Sequence, residues 1–210
     1  MVPEEISRLL KERSGDAVLG TAVEGSHPHA KVAAESWPTI AKFLRDEPRL
    51  RLNFLRCISA LDLLADDKLA CVYDLCHVST ENPAVLKTRT HTFAVRIEVD
   101  RNNPVIPSVA HVWPAAEWHE REAYDLMGIT FSGHPDHRRI LCADDWIGYP
   151  LRKDYEFPLE YHGIDLEGWI REGLVDRLML SCWSGPRGRR GQPLDPSPWA
   201  AMARGTGTQV

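Results

Sequence analysis

Residues Thr92 to Val99 set the tightest limit on what this chain can fold into. Phe93, Val95, Ile97 and Val99 alternate with Thr92, Ala94, Arg96 and Glu98, the two-residue period of a half-buried strand. Such a strand needs a sheet partner and an apolar layer on one side. Leu69 to Leu75 supplies the partner, a short apolar run of strand type. The two are expected to pair antiparallel, with Thr80 to Thr90 as a long polar hairpin loop. Leu50 to Leu64 is rich in Leu and Ile, but its period fits neither strand nor helix cleanly.

The covering layer is legible upstream. Ile6, Leu9 and Leu10 mark one side of an amphipathic N-terminal helix. Ser36 is a plausible N-cap for a second helix, Pro38 suits its first turn, Ile40, Phe43 and Leu44 form its apolar stripe, and Pro48 lies past its end. After Pro114, Ala115 to Met127 reads as a helix ended by Gly128. On it Glu117 and Arg121, then Arg121 and Asp125, are spaced to pair along one face. The fold class expected is α+β: N-terminal helices on a small mixed or antiparallel sheet, then an extended, largely irregular C-terminal segment with one helix. Residues 1–105 form a compact domain and 106–163 a helix plus extended arm. Residues 164–183 form a short helical segment, and 184–210 a Gly-, Pro- and Arg-rich tail that is flexible or ordered by a partner.

Several chemistries are disfavoured. The net charge of −5 argues against a general nucleic-acid or anionic-membrane binder. No apolar run approaches the ~20 residues of a membrane span. The first residues lack the apolar core of a secretory signal, and Glu4, Glu5, Glu12 and Asp16 are unlike a mitochondrial presequence, so a cytoplasmic bacterial setting fits best. The five cysteines, Cys57, Cys71, Cys76, Cys142 and Cys182, include no CxxC. Cys71 and Cys76 would point to opposite faces of one strand, and free thiols are expected rather than an iron–sulfur cluster. His134, Asp136 and His137 lack the helical HExxH arrangement of a zinc site. There is no GxGxxG and no phosphate-cradling GxxxxGK[ST]. Glu120 with Glu122, or Asp144 with Asp145, could be offered as the carboxylate pair of a stand-alone hydrolase. On a helix the first two point in different directions, and the second two suit a turn.

What remains is a segment dense in charges and rings together. Arg121, Arg138, Arg139, Arg152 and Lys153 alternate with Glu120, Glu122, Asp125, Asp136, Asp144, Asp145 and Asp154. Trp113, Trp118, Trp146, Tyr124, Tyr149 and Tyr155 lie among them. Forked guanidinium groups and rigid rings with a polar edge are the residue types that protein interfaces enrich. The residues expected to grip a partner are Trp118, Glu120, Arg121, Glu122, Asp125, His134, Arg138, Arg139, Asp144, Asp145, Trp146, Arg152, Lys153, Asp154 and Tyr155.

Seven motifs follow one another between Val105 and Tyr155: PSV from Pro107, WPAA from Trp113, EREAYDLMGI from Glu120, GHPD from Gly133, RRIL from Arg138, DDW from Asp144 and PLRKDY from Pro150. In this order they resemble the 30 kDa subunit family of respiratory complex I, whose bacterial members are its C subunits. His137 stands where that family more often has Leu, and Glu156-Phe157 where a Pro is usual. The resemblance implies a non-catalytic peripheral-arm subunit of a proton-pumping NADH:quinone oxidoreductase, on the cytoplasmic face of a bacterial inner membrane. It implies no cofactor in this chain, with FMN and iron–sulfur clusters in partner subunits and NADH and quinone as substrates of the complex. The partners implied are the quinone-site subunit and neighbouring cluster-bearing subunits of the peripheral arm. Membrane contact would be made only through the complex. The equivalent subunit of a membrane-bound hydrogenase, or of a dehydrogenase with another electron donor, is the alternative.

Overall fold

A computed structural model describes residues 2–25, 27–78 and 91–165. The hairpin loop expected at Thr80 to Thr90, the helical segment and tail beyond residue 165, and Cys182 lie outside the described residues. The chain divides into two units, 1–157 and 158–210. In the second, β8 (Glu160–Tyr161) and β9 (Ile164–Asp165) form a small antiparallel pair.

The first unit is built on a five-stranded sheet. β1 (Val18–Ala22), β2 (His29–Val32), β3 (Phe54–Leu63), β4 (Lys68–Cys76) and β5 (Thr92–Asp100) lie in the order β1-β2-β5-β4-β3. β2 runs parallel to β5 and the other neighbours are antiparallel. The expected β4–β5 pairing is present, with Cys71 opposite Ile97 and Tyr73 opposite Val95. The alternation in β5 decides its faces, since Phe93, Val95 and Ile97 are buried. The ambiguous run Leu50 to Leu64 contains the edge strand β3, and a register shift between Leu55 and Cys57 blurs its period. β1 and β2 were not legible in sequence, being only five and four residues long.

α1 (Pro3–Ser14) and α2 (Trp37–Asp46) turn Ile6, Leu9 and Leu10, and Trp37, Ile40, Ala41 and Leu44, into the core. Ser36 stands at the cap position of α2, but its side chain makes no capping hydrogen bond. Pro38 in the first turn starts the helix without it. Trp37, Tyr73 and Trp113 form the heart of the core, with ring centroids 4.5 Å apart for Trp37 and Tyr73 and 6.1 Å for Trp37 and Trp113. The Trp113 indole donates to the Leu52 carbonyl at 3.0 Å, which ties the start of the signature segment to the approach to β3. Cys57, Cys71, Cys76 and Cys142 are free thiols, and of these Cys71 alone is fully buried.

β6 (Val105–Pro107), α3 (Ala116–Met127) and β7 (Thr130–Ser132) follow as a strand–helix–strand unit whose two short strands are parallel. Ala116, Ala123 and Met127 of α3 join the same core. Gly128 ends α3 with φ +72°, and its N–H donates to the Tyr124 carbonyl. A Cβ at this position would lie 2.4 Å from the nearest carbon of the Tyr149 ring. Gly128→Ala is therefore expected to cost about 2–4 kcal/mol, from the left-handed backbone and the displaced ring together. Thermal unfolding of the variant beside Tyr149→Ala and the double variant measures how much of the loss the ring carries.

Candidate partner interface

Burial divides the charged segment into two sets of side chains. Glu120, Arg121 and Asp125 are on the inner side of α3 and almost without solvent exposure. They serve their own chain. Glu120 accepts from the Ser108 hydroxyl at 2.6 Å and from the Val109 N–H at 2.9 Å. Burial pushes its carboxyl up to about 7, although both bonds pull the other way.

Asp125 organises the irregular backbone beyond the helix. One carboxylate oxygen accepts the N–H groups of Ile140, Leu141 and Cys142 at 3.0, 2.6 and 2.9 Å. The other takes the Arg139 guanidinium at 2.7 Å. Burial alone would raise the Asp125 carboxyl, but the N–H donors and Arg139 outweigh it and hold the group at about 2. Arg139 reaches onward to the carbonyls of Trp146 and Gly148, both at 3.1 Å. Arg121 donates to the Arg138 and Arg139 carbonyls, stands 3.6 Å from Asp136, and lies over the Trp118 ring. The expected pairing of Arg121 with Asp125 along the helix is thus replaced by partners from the segment that follows. Backbone carbonyls and amides of an irregular strand have no ladder to satisfy them, so α3's charges do it instead.

Two further anchors hold the arm. Arg152 donates to the Met127 carbonyl at 2.8 Å, at the end of α3, and lies 4.8 Å from the Tyr149 ring centre. Asp62, buried on β3, binds Arg101 and accepts the Lys153 N–H at 2.8 Å; Arg101 also binds Asp154. Asp62 and Arg101 were missed by sequence reasoning. The available signal was an acid inside the apolar run Ile58 to Leu64.

The second set faces solvent. Fixed in this way, the arm exposes large apolar side chains: Ile147 at 85%, Leu141 at 62%, Leu151 at 60% and Phe157 at 50%. Trp146 and Phe157 meet edge to face at 5.9 Å, and the Tyr155 hydroxyl donates to the Ile147 carbonyl at 3.2 Å. Trp118 is exposed on α3, as are Glu122, Arg138, Asp144, Asp145, Lys153 and Asp154 nearby in the segment. The His134 ring is buried. Glu120 and Glu122 do not converge, one being interior and the other exposed, so they form no hydrolytic pair. Among the described residues no group of three or more His, Cys, Asp or Glu is arranged to hold a metal ion, and no helix is long and apolar enough to cross a membrane.

Residues 30–161 match the family described as respiratory-chain NADH dehydrogenase, 30 Kd subunit. The chain belongs to this family. Among its relatives is the C subunit of the NADH-quinone oxidoreductase of Chlorobium phaeobacteroides, 46% identical over 157 residues, or 74% of this chain and 90% of that one. The corresponding C subunit of Chloroherpeton thalassium is 45% identical over 164 residues, covering 77% of this chain and 65% of the relative. A chain of the membrane-bound sulfane sulfur reductase, an archaeal respiratory membrane complex, shares the fold with a TM-score of 0.58 and 19% identity, over 91% of this chain and 98% of that one. The 30 kDa-family match runs from Ala30 of β2 through β5 and the arm, and leaves α1 and β1 outside it.

One pH effect follows from Glu120. Its folded value of about 7 lies above the ordinary glutamate value, about 4.3. The folded chain therefore keeps a proton that the unfolded chain releases. The stabilisation is full below the unfolded value and is lost as pH rises through the folded one. Wild type is expected to lose about 2–4 kcal/mol relative to Glu120→Gln between those limits. Urea unfolding of both proteins across that range measures it, and parallel stability curves would rule it out.

Proposed function

We propose that this chain is the 30 kDa-family subunit of an NADH:quinone oxidoreductase and that its task is architectural. It contributes no catalytic centre. It holds the quinone-module subunits in fixed relation, so that electrons from NADH, carried by flavin and iron–sulfur clusters in other subunits, reach quinone with coupled proton movement. Its principal partner is the quinone-site subunit, with the neighbouring cluster-bearing subunits beside it. The site of action is the cytoplasmic face of a bacterial inner membrane, reached through the complex.

The observation that carries this reading is a rigidly anchored arm with Ile147, Leu141 and Leu151 held out to solvent, in a chain of the 30 kDa family. Large apolar side chains on an irregular segment are costly to expose unless a partner covers them. The anchoring described above means that little ordering is left to be done on binding. The NADH-named relatives at 45% identity and above favour an NADH donor over the hydrogenase alternative. The residues proposed to face the partner are Trp118, Glu122, Arg138, Asp144, Asp145, Trp146, Lys153, Asp154 and Tyr155, joined by Leu141, Ile147 and Leu151. Glu120, Arg121, Asp125, His134, Arg139 and Arg152 support them from behind.

A tagged chain expressed in its native host is expected to recover a multi-subunit assembly with NADH:quinone reductase activity and visible redox cofactors. The same chain purified alone is expected to show neither. With Ile147→Asp and Leu151→Asp combined, recovery of the assembly should fall by about tenfold or more, while the isolated chain keeps its unfolding midpoint. An unchanged yield of assembly would refute the role given to the arm.

A further inference from the structure

The five-stranded sheet has a second face. Phe93, Val95 and Ile97 of β5 and Cys71, Tyr73 and Leu75 of β4 point into the core, so the residues between them point the other way. α1, α2 and α3 all turn buried side chains into that one core. They leave the opposite face open. It carries Ala94, Arg96 and Glu98 from β5 and Ala70, Val72 and Asp74 from β4. Strand pairing sets Phe54, Cys57, Ser59 and Leu61 of β3 beside Cys76, Asp74, Val72 and Ala70.

A solvated sheet face is ordinarily polar throughout. This one is divided lengthwise. Along β3 and β4 it is mostly apolar or small, with Phe54 51% and Leu61 38% exposed. A groove of about 370 Å³ opens there among Cys57, Ser59, Val72 and Ala94, and the Arg56–Asp74 ion pair lines it. Toward β2 the face is cationic. Lys31, Arg96 and Lys68 converge on the Glu98 carboxylate at 2.6, 3.0 and 3.7 Å. Asp100, across from Lys68, is turned instead to the N–H groups of Asn102 and Asn103. One carboxylate thus answers three cations, in a chain whose net charge is −5. Arg96 also has a buried Nε with no acceptor among the described residues.

We propose that the open sheet face is a second interface, which docks an amphipathic helix of a neighbouring subunit, apolar where it lies on β3 and β4 and bearing Asp or Glu where it faces Lys31, Lys68 and Arg96. The dimensions suit one helix. β5, β4 and β3 together are about 10 Å across, close to the width of an α-helix with its side chains. The small residues of the groove leave room for a bulky apolar side chain from the partner. The uncompensated cations select the sign of the partner's flank, and Glu98 holds them in place between the strands. The apolar strip also runs up to the anchor of the arm, since Leu61 precedes Asp62, which accepts the Lys153 N–H. A chain gripping one neighbour with its arm and another helix with its sheet would fix the two relative to each other. This second interface rests on the reading of the chain as a subunit of an assembly, and not on the contacts given to the arm.

Lysine acetylation read by mass spectrometry tests it, on the wild-type full-length chain alone and in the complex purified from its native host. Alone, Lys31, Lys68 and Lys153 should all react. In the complex Lys31 and Lys68 should be protected about fivefold or more, as residues in the core of an interface are. A carbodiimide, which joins an amine directly to a carboxylate in contact with it, should then couple Lys31 or Lys68 to an Asp or Glu on a helix of a neighbouring subunit. Phe54→Asp combined with Leu61→Asp should lower recovery of the assembly about tenfold, while the isolated variant keeps its unfolding midpoint. Equal reactivity of Lys31 and Lys68 in both samples would overturn the second interface. So would protection already present in the isolated chain, which would mean that the chain covers its own face, or coupling only to a second copy. Lys153 separates the two readings. If Lys153 is protected while Lys31 and Lys68 stay reactive, the arm keeps its role and the sheet face loses its own; if all three stay reactive, both fail. The labelling uses wild type, so a variant that fails to fold does not shield the idea.

Discussion

Asp125→Ala is expected to destabilise the chain by about 3–5 kcal/mol, the scale for removing one member of a buried charged network. The loss has two parts. Three consecutive N–H groups, those of residues 140, 141 and 142, lose their common acceptor. Arg139, whose side chain is 13% exposed, loses its carboxylate partner and keeps the carbonyls of Trp146 and Gly148. Asp125→Asn retains an oxygen that can accept but brings an NH2 group against donors, so its cost should be smaller yet still well above 1 kcal/mol. The acid limb of the stability curve gives a second readout. The folded Asp125 carboxyl is at about 2, below the ordinary value of about 3.9. Its contribution is present above the unfolded value and is lost as pH falls toward the folded one. Chemical denaturation at neutral pH and along the acid limb measures both. A loss under about 1 kcal/mol for the alanine variant would mean that the arm is held by its other contacts.

Arg101→Met should cost a similar amount, about 3–5 kcal/mol, because it strands Asp62. The Asp62 side chain is only 2% exposed and also holds the Lys153 N–H, so the damage reaches both β3 and the arm. Arg101 holds the Asp62 carboxyl below the usual carboxylate range against the opposing effect of burial. The stability this gives wild type is present above the unfolded aspartate value and is lost as pH falls through the folded one. The variant should therefore show a flatter acid limb. Asp62→Leu combined with Arg101→Met removes both charges and should lose clearly less than the sum of the single changes, with a coupling of about 1–3 kcal/mol. Additive losses in this double-mutant cycle would show that the two groups do not act as a pair.

Much of the fold was legible because its periods are clean. Phe93 to Val99 named its own buried face, and the apolar stripes of α1 and α2 named theirs. Gly128 announced the end of α3. β1 and β2 were hidden because four or five residues are too few to show a period, and β3 because a bulge shifts its register after Leu55. In the arm, the residue types marked a dense set of charges, several of which bond within the chain itself. They did not reveal which charges look inward. Glu120, Arg121 and Asp125 read as surface residues by type, and only the positions of Arg138, Arg139 and the 140–142 amides in space made them interior. Asp62 and Arg101 are 39 positions apart, and nothing local to either announces the other. The exposed apolar tip at Ile147 escaped notice for the opposite reason: a lone isoleucine among charges draws no attention until its surroundings fail to cover it.

The parallel pairing of β2 with β5 governs the order in which a ribosome can finish this sheet. Ala30 emerges early, yet its neighbour Val95 must wait for the whole β3–β4 hairpin to be made first. At the usual pace of synthesis that is a delay on the order of several seconds. During it the N-terminal helix and β1–β2 hairpin lack β5, while β3 and β4 can zip together as soon as they appear. The first residues translated are thus among the last to find their final neighbours, so a pause in translation ahead of β5 would prolong the time for which they stand unpaired.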